Sequence, residues 1–104
     1  MQLLTKALLA RFAKVGSQEH IADPKVIAHF FNPTGAGNWL ATEYNPTERT
    51  FFGYVSLFGD YNDELGYFSL DELAQYRGKF GLGIERDLHF DEVPLSEIKA
   101  QYTK

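Results

Sequence analysis

The stretch "FFGYVSLF" at 51–58 is aromatic and β-branched apart from Gly53, Ser56 and Leu57. That composition fits a pleated strand. Alternation puts Phe51, Val55 and Leu57 on one side and Phe52, Tyr54 and Phe58 on the other, so both faces are apolar. Such a strand lies inside a sheet, or one of its faces meets a partner. Gly53 leaves room for a bulge or for a closely approaching neighbour.

The flanking segments extend this into a meander. "KVIAHFF" (25–31) and "WLATEY" (39–44) read as strands, separated and followed by turn-forming runs at 32–38 and 45–48. "GDYNDE" (59–64) is a loop and "LGYF" (65–68) a short strand. Successive strands with short polar links predict antiparallel pairing. "SLDE" (69–72) then opens a helix with a capping box. The Ser69 hydroxyl accepts from the Glu72 amide, and the Glu72 side chain reaches back to the Ser69 amide. Asp71 adds favourable charge at the helix start. That helix runs to about Tyr76 and stops at Gly78, and "RGKFGLG" and a strand from Ile84 follow. At the N-terminus Thr5 caps a helix to about Lys14, with Leu4, Leu8, Phe12 and Val15 on one stripe. Pro94 starts a last short helix with Leu95, Ile98 and Tyr102 on one side. The expected fold is α+β: an antiparallel sheet of four to five strands, an N-terminal helix, one inserted helix and a short C-terminal helix. The 104 residues are expected to form a single domain, 1–104.

Composition narrows the function classes. The absence of cysteine excludes disulfide frameworks, thiol chemistry, iron–sulfur clusters and Cys-ligated zinc. "MQLLTKALLARFAKVG" lacks a signal-peptide pattern, because Lys6, Arg11 and Lys14 interrupt its apolar run. No apolar run reaches the roughly 18 residues a membrane span needs. A soluble, cytoplasmic protein is expected. Net charge is −4 but uneven. Residues 1–25 carry +2, whereas residues 60–97 hold ten acids against Arg77, Lys79 and Arg86. Non-specific nucleic-acid binding needs cationic surface, so it is not expected. The acidic half suits a basic protein partner, or simple solubility.

The chemical candidates are few. "GKFGLG" (78–83) spaces its glycines unlike a dinucleotide fingerprint and precedes a strand, so it reads as a turn needing positive φ. No P-loop, HExxH or GxSxG occurs, and His20, His29 and His89 are scattered. His29, within "VIAHFF", reads as a packed or edge residue. Trp39, Phe52 and Tyr54 read as core and not as a base-stacking platform. In "GIERDLHFDE" an unbroken strand would put Glu85, Asp87, His89 and Asp91 on one side and Ile84, Arg86, Leu88 and Phe90 on the other. The acidic row is a solvated face, an interaction surface or, joined by Glu43 from another strand, a metal site. Arg86, on the apolar side, calls for a carboxylate such as Glu43, Glu64, Asp71 or Glu72.

"LLTKALLARF" (3–12), "FFGYVSLF", "ELGYFSLDEL" (64–73), "RGKFGLGIERDLHF" (77–90) and "PLSEI" (94–98) occur in that order. Together they resemble the bacterial family known as domain of unknown function 2958, over nearly the whole chain. The glycine-rich 32–38 turn departs from its pattern. The resemblance implies a setting on plasmids and other mobile elements, and it brings no agreed catalytic set. A single-stranded-DNA endonuclease label attached to some members supplies the rival reading, a metal-dependent nuclease using Glu43, Glu85, Asp87 and His89. The leading expectation is a small non-enzymatic accessory protein without cofactors. It would offer Asp71, Glu85, Arg86, Asp87, His89 and Asp91 to a protein partner, with no catalytic residues.

Overall fold

The computed structural model describes residues 1–57 and 63–102. Phe58 of the expected third strand and residues 59–62 of the expected loop lie outside the described residues. The elements are α1 (Lys6–Val15), β1 (Lys25–Val26), β2 (Ala28–Phe31), β3 (Asn38–Asn45), β4 (Thr50–Ser56) and β5 (Glu64–Ser69). They continue with α2 (Leu70–Gln75), a 3-10 turn (Lys79–Gly81), β6 (Glu85–Arg86), β7 (Val93–Pro94) and α3 (Leu95–Tyr102). The fold is α+β, as the sequence predicts.

Local chemistry sets the helix ends. Thr5 Oγ1 accepts from the Leu8 amide at 3.2 Å and opens α1. Gly16, at φ 67°, closes it while its amide donates to Phe12 O. Ser69 Oγ accepts from the Glu72 amide at 3.2 Å and opens α2.

Five strands form one antiparallel sheet in the order β5-β4-β3-β2-β6. β1 and β7 form a separate two-stranded pair. β4, the doubly apolar strand, lies between β3 and β5 and feeds both layers. Phe51 enters a core with Phe12 of α1, Leu70 and Leu73 of α2, and Phe30, Ala41, Phe68 and Ile84. Tyr54 enters a second core on the opposite face, with Val26, Leu40 and Leu95 and Ile98 of α3. Trp39 packs against the first core, so Trp39 and Tyr54 share no platform. Gly53 is needed because a Cβ there would strike the Leu40 carbonyl oxygen.

Two strands depart from expectation. The 25–31 run breaks at Ile27, because Ile27 and Ala28 both enter the first core. Strict alternation forbids that for consecutive residues, so the chain bends and β1 pairs with β7 instead. The strand expected from Ile84 is only two residues long. In the glycine-rich turn Gly81 takes φ 72°, as expected, but Phe80 also takes φ 60° and is 92% exposed. Among the described residues no helix is long and apolar enough to cross a membrane.

Candidate interaction site

The acidic row does not survive as a row. β6 pairs with β2 through Glu85↔Phe31 and Arg86↔Phe30. The Asp87 amide still donates to His29 O, but the chain then turns. Asp87 Oδ1 accepts from the His89 amide at 3.0 Å, a side-chain turn that competes with strand pairing. Leu88, expected on the apolar side, is 63% exposed. Glu85 is half-buried beside β2, while His89 and Asp91 are exposed in the turn region. Glu43 lies opposite Phe52 in the β3–β4 pairing, whereas Glu85 lies opposite Phe31. Among the described residues no three His, Asp or Glu side chains gather closely enough to hold a metal ion.

Arg86 finds a different partner from those expected. Its guanidinium donates to the carbonyl oxygens of Gln2 at 2.7 Å and Leu3 at 3.0 Å. It therefore ties the N-terminal leg to the sheet edge and makes no carboxylate pair among the described residues. Asp71 is held by Arg49 at 2.8 Å on the exposed surface. The uneven charge of the sequence is also partly folded against itself. Arg11 meets Glu92 at 2.7 Å and Lys25 approaches the same carboxylate at 4.0 Å. The Arg11 hydrogen bonds hold the Glu92 carboxyl below the usual carboxylate range, and Arg49 does the same for Asp71.

His29 is packed, as its strand context predicts. Its ring lies between Phe31 and Phe90, with centroids 5.7 and 5.8 Å away. Nδ1 faces Asp87 Oδ2 at 3.2 Å and Nε2 faces Asn38 Oδ1 at 2.8 Å. Burial works to raise the Asp87 carboxyl, but the His89 amide and the His29 ring outweigh it and hold it below the ordinary value. Tyr102 lies on this side of the sheet, and burial, then Asp87, Asp63 and Tyr54, push its phenol up. This node joins β2, β3 and the turn after β6.

A groove on the same sheet face escaped the sequence reading. The β3–β4 register shifts between Ala41 and Glu43, leaving Thr42 as a bulge residue. Unbroken alternation would put Glu43 on the face of Trp39 and Ala41. The bulge turns it to the opposite face, where Glu43, Phe52 and Tyr67 form one row across β3, β4 and β5. Tyr44 is sent to the first core. Gln18 secures the bulge. Its side-chain amide donates to Thr42 O at 2.7 Å and Lys25 O at 2.8 Å, and its backbone amide donates to Glu43 Oε2 at 3.1 Å. Gly53, across from Ala41, was the one signal of irregularity here; nothing marked Gln18.

The row opens into a groove of about 430 Å3 lined by Glu43, Tyr44, Asn45, Glu48, Thr50, Phe52 and Tyr67. Phe52 and Tyr67 meet edge-on, centroids 4.9 Å apart. Among the described residues no lysine, arginine or histidine lines it.

No curated protein and no solved structure matches the chain. A family model does match, over residues 2–102, and the order of motifs from "LLTKALLARF" to "PLSEI" falls within that span. The chain belongs to the family described as Protein of unknown function (DUF2958).

Proposed function

We propose that this protein is a small non-enzymatic accessory protein of bacterial mobile elements, acting in the cytoplasm, whose acidic second half meets a basic protein partner. One observation carries the reading. Among the described residues Asp63, Glu64, Glu72, Glu85, Asp91 and Glu97 enter no ion pair, whereas Asp71, Asp87 and Glu92 face Arg49, His29 and Arg11. Asp63 accepts from Ser56, and the other five are exposed or half-exposed, so their charge is directed at solvent or at another molecule. Of the surface first expected, Glu85, His89 and Asp91 remain outward, while Asp71, Asp87 and Arg86 serve internal contacts.

The test neutralises most of that charge. Glu64→Gln, Glu72→Gln, Glu85→Gln and Asp91→Asn are combined in one variant, and cross-linking capture is compared with wild type at low and high salt. A basic partner retained by wild type at low salt, and lost by the variant, supports the reading. Partners that are all salt-insensitive and captured equally by the variant overturn it. The nuclease alternative needs Glu43, Glu85, Asp87 and His89 around a common ion. Calorimetry with Mg²⁺ and Mn²⁺, followed by incubation with single-stranded DNA, tests it; metal binding with cleavage would replace the present reading.

A further inference from the structure

We infer that the groove of Glu43, Glu48, Phe52 and Tyr67 is a receptor for a single lysine or arginine side chain of a partner protein. The inference takes the basic partner from the proposed function and assigns it a place outside the acidic second half.

Three features of the groove converge on a cation with an alkyl stem. The first is charge. Glu43 is engaged through Oε2 by the Gln18 amide and Glu48 through Oε1 by the Asn45 side chain. Both donors are neutral, and among the described residues the second oxygen of each carboxylate takes no hydrogen bond. Two carboxylates share the lining with no lysine, arginine or histidine among the described residues there, which complements an entering ammonium or guanidinium. The second is the walls. Tyr67 is 78% exposed yet held against Phe52, so a ring is fixed beside the carboxylates. A cation over such a ring gains electrostatic attraction, and its methylene stem covers the apolar surface. The third is the opening. β5, which carries Tyr67, is an edge strand of the five-stranded sheet. Its outer backbone groups are available to the main chain that would deliver the side chain.

These features favour a side chain over a metal ion. Calcium takes six to eight oxygen ligands, and magnesium needs near-ideal octahedral oxygen geometry. The groove brings only two carboxylates, and among the described residues no three His, Asp or Glu side chains gather closely enough to hold an ion. The groove is also built, not incidental. The Thr42 bulge turns Glu43 out of the first core's face, and the Gln18 side chain holds the bulge by a buried hydrogen bond donated to Thr42 O and a part-buried one donated to Lys25 O.

The experiment is an NMR titration of the full chain with Nα-acetyl-arginine amide and Nα-acetyl-lysine amide, with Nα-acetyl-norleucine amide as the uncharged control. Shifts concentrated on Glu43, Phe52 and Tyr67 with the two cationic probes alone are expected. Glu43→Gln with Glu48→Gln keeps acceptors for the Gln18 and Asn45 donors, so the fold is preserved. That variant is expected to bind the cationic probes about tenfold more weakly. Tyr67→Leu is expected to weaken them about threefold. Equal shifts with norleucine amide, or shifts that ignore the double variant, overturn the assignment. The titration uses none of Glu64, Glu72, Glu85 or Asp91, so failure of the groove and failure of the acidic surface are read separately.

Discussion

The two faces of the five-stranded sheet carry similar side chains and meet different fates. On one, Phe51 stacks on Phe68 at 5.3 Å and packs against Phe12 and Phe30 at 5.7 and 5.1 Å. Helices α1 and α2 close that face. On the other, α3 and the β1–β7 pair cover Leu40 and Tyr54, but the row Glu43, Phe52 and Tyr67 stays open. Tyr44, Phe51 and Phe68 cross β3, β4 and β5 on the first face as Glu43, Phe52 and Tyr67 do on the second. Aromatic content alone does not separate core from surface; helix coverage does, and the uncovered row is where a charged residue has been turned outward.

That contrast can be broken at its strong end. Phe51→Ala removes the hub of the closed face and is expected to cost about 4 kcal/mol in urea denaturation. A loss no larger than that of an open-face substitution would mean the faces are equivalent. Gln18→Ala attacks what separates them. It removes all three hydrogen bonds of the side-chain amide, two donated to Lys25 O and Thr42 O and one accepted from the Lys25 amide, and leaves the buried Thr42 carbonyl unsatisfied, with an expected cost of about 2 kcal/mol. Amide shifts at Glu43 and Phe52 in the same variant would report the bulge relaxing.

Acid sharpens the comparison within the second face, where Asp87 locks the covered part. Its folded carboxyl titrates below the ordinary value of about 3.9, so its contribution is complete above that value and is lost as pH falls through the folded one. Asp87→Asn is expected to cost about 1 kcal/mol near neutrality, and the gap from wild type should close in strong acid. A gap that is constant with pH would deny the carboxylate this role. The smallest effect belongs to the open row. Tyr67→Ser is expected to change stability by less than about 0.5 kcal/mol, measured in the same denaturation series.

Much of the fold was legible because its signals are local. The stripe Leu4, Leu8, Phe12 and Val15, the caps Thr5 and Ser69, and the strands on either side of the 45–48 turn are set by neighbours within a few residues. The site was less legible. The Glu85, Asp87, His89 and Asp91 row assumed that the strand would continue, and the Asp87 side chain ended it by capping the His89 amide. Arg86 was assigned a carboxylate because burial of a cation demands acceptors, and backbone carbonyls of Gln2 and Leu3 met that demand equally well.

By itself the sequence determined an α+β chain with three helices, an antiparallel meander and a doubly apolar β4, because periodicity and capping act over one or two turns of chain. Tertiary structure alone decided which face Glu43 occupies, which carboxylates are neutralised at home and which aromatics stay open. Those outcomes depend on contacts between distant residues, such as Gln18 with Thr42, Arg11 with Glu92 and Arg49 with Asp71. Their geometry exists only once the layers have packed.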